Sequence, residues 1–178
     1  MSKRPYLPPE RQTQSVSLDQ MMPLILERLS VGGTVEFSPH GISMLPLLRE
    51  GHDSVILASP PKALKKYDIP LYRRVDGSYV LHRVTEVFSG YYTCIGDNQY
   101  HPERGVTDDE ILAVAVAIRR GKRYLPVTSL SLALYARWIH ATRGPRYFLF
   151  RVRRKLCRIL GIRHKSKAFG DTSPKRRS

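Results

Sequence analysis

The chain has 178 residues, enough for one domain with a substantial core and too few for two large ones. A hydrophobic share of 42% excludes a disordered or fibrous chain. The net charge of +15 is uneven: residues 143–178 hold 13 basic side chains and 1 acidic one, against 17 and 14 in the first 142. A nearly neutral domain with a basic end is therefore expected, which argues against a fold that is a nucleic-acid platform throughout.

Residues 1–16 are polar and proline-bearing and read as a flexible arm. They hold no apolar run of the kind a secretory signal needs. Leu18, Met21, Met22, Ile25, Leu26 and Leu29 recur at helical spacing and predict a helix over 17–31. Ser17 and Gln20 occupy capping-box positions, and Gly32-Gly33 closes the helix. Pro23 argues for a first turn delayed to about Met22.

From Thr34 the period changes to two. Strands are expected at Thr34–Phe37, Ser54–Ala58, Ile69–Val75, Tyr79–Val87, Tyr91–Gly96, Ile111–Arg119 and Arg123–Val127. Turn signals at Asp76-Gly77, Ser89-Gly90 and Gly121 fall between them. The fold class is thus mostly β, an antiparallel core over 34–128, closed or sandwiched, with an N-terminal helix and a C-terminal basic helical extension. The run Val106–Ile111 reads as a turn into the strand after it.

Beyond Thr128 the pattern is helical again. Leu130, Leu134 and Trp138 mark one amphipathic segment, broken at Gly144-Pro145. A second mixes Phe148, Leu149, Val152, Leu156, Ile159 and Leu160 with Arg151, Arg153, Arg154, Lys155 and Arg158. This extension spans 129–162, and 163–178 reads as a disordered basic tail. No apolar stretch approaches the ~20 residues of a bilayer span. Cys94 and Cys157 cannot form a disulfide framework, and no Cys/His pairs stand at zinc spacing, so neither metal nor cofactor is expected. The expected compartment is the cytoplasm.

Three stretches place reactive residues beside turns. In Gly41-Ile-Ser43-Met-Leu-Pro46 a serine between glycine and proline presents its hydroxyl and backbone N–H together, as a nucleophile with an oxyanion donor requires. His82 interrupts the apolar run Tyr79-Val-Leu-His-Arg-Val, and Asp97 ends the strand Cys94-Ile-Gly-Asp. Taken singly, each has a plainer reading: a turn serine, a half-buried strand histidine and a turn-forming aspartate. His40 and His52 flank the serine block and read as surface loop residues, and Cys94 as a small buried hydrophobe.

In order along residues 34–120, the blocks GISMLPLL, DIPLYRR, DGSYVLHRVTEV and IGDNQYHPERGVTDDEILAVAV resemble the signal-peptidase superfamily of serine peptidases, which includes self-cleaving repressors. The resemblance implies a peptidase domain over 17–128, the helix at 17–31 leading into an all-β catalytic core over 34–128. His82 stands where most bacterial members carry a lysine, which is similar to the Ser-His-Asp signal peptidases. By that likeness Ser43 is the nucleophile and His82 the general base. Asp97 orients the imidazole; Glu103, six positions on, keeps a second carboxylate, so either can be the one that contacts His82. Position 41 is glycine, so the oxyanion hole relies on backbone N–H groups, that of Ser43 included. Tyr67 stands where the family commonly has glycine before Asp-Ile, and Gly51-His52-Asp53 holds one residue more than the usual Gly-Asp.

The expected function is hydrolysis of a leader or precursor peptide through an acyl-enzyme on Ser43, with a peptide or precursor protein as partner. The competing class is a non-hydrolytic, repressor-like or interaction module. The basic helical segment suits an anionic membrane surface, nucleic acid to a lesser degree, or a helix packed on the domain with a solvated basic face.

Overall fold

The computed structural model describes residues 18–159, so the arm over 1–16, the tail over 163–178 and Ser17, the expected helix cap, lie outside the described residues. Helix α1 (Leu18–Ser30) is followed by strands β1 (Val35–Phe37), β2 (Asp53–Ala58), β3 (Pro70–Arg73) and β4 (Tyr79–Leu81). Strands β5 (Arg83–Val87), β6 (Tyr91–Ile95), β7 (Glu103–Thr107), β8 (Ile111–Arg120) and β9 (Arg123–Pro126) come next. Helices α2 (Leu130–Ala141) and α3 (Arg143–Ile159) complete the order.

The nine strands pair antiparallel in two sheets. One has the order β1-β2-β8-β3-β4, with β9 added to β8; the other is β5-β6-β7. Two buried clusters follow that division. Met22, Ile25 and Leu29 of α1 pack with Met44, Leu48, Val55, Leu57, Leu71 and Ile118 over the larger sheet. Val84, Tyr92, Cys94 and Val106 of the smaller sheet meet Tyr72, Val114 and Leu64 in the second. The mostly β fold with flanking helices is the one the two-residue period implies.

Four local differences from the sequence reading have physical causes. Helix α1 runs through Pro23 from Leu18. Pro23 is only its sixth residue, so a single intrahelical hydrogen bond is lost and the apolar face outweighs it. The run 79–87 is two strands, broken at His82, where the chain passes from the larger sheet to the smaller. The turn expected at 106–111 is in part strand β7, paired with β6. Gly105, at φ +81°, supplies the extra residue of a bulge between the Tyr92↔Val106 and Thr93↔Arg104 pairs, which disguises the alternation. The C-terminal helices separate at Thr142, two residues before Gly144-Pro145, and Pro145 falls in the first turn of α3, where its missing N–H removes no bond.

The turn that holds His52 is tied down by Asp53. Its buried carboxylate accepts from Arg49 Nε at 2.9 Å, Arg49 N at 3.0 Å and Arg120 Nε at 3.0 Å. The Arg49 hydrogen bonds, opposed by burial and supported by Arg120, hold this carboxyl down at about 2 against an ordinary 3.8. Asp53→Asn is expected to cost about 2 kcal/mol in urea unfolding at pH 7. Because the folded value is the lower one, the stabilisation is complete above 3.8 and is lost as the pH falls towards about 2. Wild type and variant should therefore converge across that window, and equal stability at pH 7 would refute the assignment.

Candidate active site

The serine turn is built by its neighbours. Met44, Leu47 and Leu48 are buried in the main core and pin the segment from below. Leu48 N donates to Met44 O at 2.9 Å and Leu45 N to Ile42 O at 3.2 Å, a tight turn ahead of β2. From across the fold Asn98 clips the same turn twice: its backbone N–H donates to Ser43 O at 2.8 Å and its Nδ2 to Ile42 O at 3.1 Å. Gly96 must be glycine here, since a Cβ would stand 2.6 Å from Ser43 O. The Gly-Asp-Asn block thus positions the serine backbone. Asn98 is a positioning residue that sequence reasoning left without a role.

Ser43 and His82 line one cavity of about 910 Å³. Its other walls include Met21 of α1, Phe37, Met44, Leu71 and Leu81, so the cleft is largely apolar, with Arg74 and Gln99 among its polar lining. Among the described residues no hydrogen bond engages Ser43 Oγ or the Ser43 N–H. Both remain available to an incoming carbonyl, and a nucleophile and its base commonly close up only on substrate.

His82 is 1% exposed. Its Nδ1 lies 3.2 Å from Glu103 Oε1 and 3.2 Å from the Tyr72 hydroxyl. Tyr72 donates to Glu103 Oε2 at 3.0 Å, and Arg74 holds the same carboxylate through both Nε (2.8 Å) and Nη2. Burial raises the Glu103 carboxyl, but hydrogen bonds from Arg74 and His82 and their charges outweigh it and hold the group at about 2. Burial, then the charge of Glu103, push the Tyr72 hydroxyl up, so it stays a donor. An ionised Glu103 with the tyrosine proton already committed to it makes Nδ1 the protonated nitrogen. Nε2 is then the basic one.

Asp97 is placed elsewhere, which corrects the expectation that it orients the histidine. Its fully buried carboxylate accepts two parallel hydrogen bonds from Arg83, Nε to Oδ1 and Nη2 to Oδ2, each 2.8 Å. Tyr135 of α2 donates to it at 3.1 Å. From α3, Arg146 donates to the Asp97 carbonyl at 3.4 Å. The group is a strut between the smaller sheet and the C-terminal helices. Of the sequence-derived set, Ser43, His82 and Glu103 belong to the cavity and its support, and Asp97 to the frame.

Tyr72 and Arg74 went unnoticed in the sequence. Their two-residue spacing in Pro70-Leu-Tyr-Arg-Arg, which puts both on one side of an extended chain, is the signal that was present. His40 and His52 are exposed, as surface loop residues are. Cys94 is buried, its thiol pushed up to about 12 by burial and by Glu103. Tyr67 holds φ 80°, the left-handed region in which glycine is unstrained. Its ring stands edge-on to His140 of α2 at 6.0 Å between centroids. Among the described residues no three His, Cys, Asp or Glu stand close enough to hold a metal ion. None of their helices is long and apolar enough to cross a membrane.

A scan of family models finds no match to the chain, and neither do searches of curated proteins and of solved structures.

Proposed function

We propose that the chain is a serine endopeptidase of the signal-peptidase type that cleaves a leader or precursor peptide. The observation that carries the proposal is the alignment of roles around one apolar cleft. A serine hydroxyl and its own N–H are both unengaged among the described residues, and the cleft's histidine has Nδ1 directed at an ionised, arginine-held glutamate. Peptide in extended form would lie in the cleft with its scissile carbonyl at Ser43.

Ser43 Oγ attacks that carbonyl as Nε2 of His82 takes the proton. The Glu103 carboxylate stabilises the imidazolium, and the backbone N–H of Ser43 meets the developing oxyanion. His82 returns the proton to the leaving amine, giving an acyl-enzyme on Ser43. Water then repeats the sequence to release the acid. No step calls on a metal or a cofactor.

A mass-spectrometric survey of a mixed peptide library tests this. Wild-type protein is expected to cut a subset of peptides that Ser43→Ala leaves intact, although the turn, held by buried Met44, Leu47 and Leu48, keeps its fold. Identical product patterns from both proteins would sink the assignment of Ser43. Neither protein cutting, for the library or for longer precursors, would favour the non-hydrolytic, repressor-like class.

A further inference from the structure

Helix α3 carries a face that takes no part in the candidate active site. Its inner side is Tyr147, tilted against Tyr100 with centroids at 4.9 Å, Phe150, stacked on the same ring at 5.7 Å, and Arg146, which donates to Ile139 O at 3.0 Å. At 3.6 residues per turn, Phe148, Val152, Leu156 and Leu149 occupy roughly 100° of arc on the opposite side. They are 66%, 39%, 52% and 65% exposed. Arg151 and Lys155 border that arc on one edge and Arg153 on the other. In all, α3 holds 7 basic side chains and no acid. So an apolar stripe bordered by cations points away from the body, on a helix too polar to enter a bilayer end-on.

We propose that this face of α3 lies on the surface of a membrane containing anionic lipid, with the apolar arc among the acyl-chain ends and the arginines at the phosphates. Charge complementarity selects the occupant. A second copy of the chain would set its own Arg151, Arg153 and Lys155 against the same three cations, which repels. Nucleic acid would satisfy the arginines but leave Phe148 and Leu149, the most exposed apolar side chains of the face, with nothing to bury against. A bilayer interface offers both chemistries side by side, and binding there scales with buried apolar area plus attraction to anionic headgroups.

The test is flotation of the full chain with vesicles of phosphatidylcholine alone and of phosphatidylcholine with a minor share of phosphatidylglycerol. The protein is expected to float with the second and not with the first. Phe148→Ser combined with Leu149→Ser should lower that partitioning about ten-fold or more. Arg151→Glu with Lys155→Glu should do the same with the apolar arc intact, which separates lost binding from lost folding. Absence of flotation with the anionic vesicles would overturn the proposal. So would undiminished flotation of the serine variant, since attraction of a basic chain to any polyanion would then suffice. Displacement from vesicles by an equal charge of duplex DNA would assign the face to nucleic acid instead. The readout involves no cleavage, so it stands or falls apart from the reading of Ser43.

Discussion

Glu103→Gln is expected to lower kcat for peptide cleavage about 10³–10⁴-fold with little change in KM. Glutamine keeps the volume and can still reach Arg74, but it carries no charge to stabilise the imidazolium. Its amide also offers a donor towards Nδ1, which favours the wrong tautomer of His82. Substrate binding in the apolar cleft does not involve Glu103, so KM is the parameter that should hold. The carboxyl is held at about 2, so it stays ionised across the neutral range and adds no limb of its own to the pH profile there. Steady-state kinetics with a peptide from the library survey check this. A Glu103→Gln enzyme within ten-fold of wild type would remove the residue from the mechanism.

Asp97→Ala is expected to behave the other way, destabilising the fold by about 3–5 kcal/mol while activity per folded molecule is largely kept. The substitution strands Arg83, whose side chain is 3% exposed, without its bidentate partner, and it frees the Tyr135 hydroxyl of α2. An unpaired guanidinium at that depth is what makes the loss large. For a domain of this size the melting temperature should fall by roughly 10 °C. Thermal unfolding followed by circular dichroism measures the first quantity, and turnover normalised to folded protein the second. A variant that melts with wild type yet loses cleavage would return the orienting role to Asp97.

The contrast between these two carboxylates marks where sequence reasoning ended. Asp97 and Glu103 sit in one block six residues apart, and nothing linear distinguishes them. What separates them is the pairing of β6 with β7, which sets Glu103 opposite Cys94, and the bulge at Gly105 within that pairing. Arg83 was present in His-Arg-Val all along, but only the fold shows that it claims Asp97.

Other parts of the molecule were legible because their cause is local. The antiparallel β core, the N-terminal helix and the amphipathic extension follow from apolar period, glycine turns and a run of arginines, all properties of neighbours along the chain. The candidacy of Ser43 and His82 follows from their chemical type and the turn or apolar strand around them. The Tyr72–Arg74 clamp on Glu103 and the grip of Asn98 on the serine turn depend on contacts between residues 29 to 56 positions apart, and the break at His82 on which sheet each half of the run joins. Hydrogen bonds and ion pairs act over about 3 Å of space whatever the distance along the chain. Which carboxylate meets which cation was therefore a matter for the tertiary structure alone.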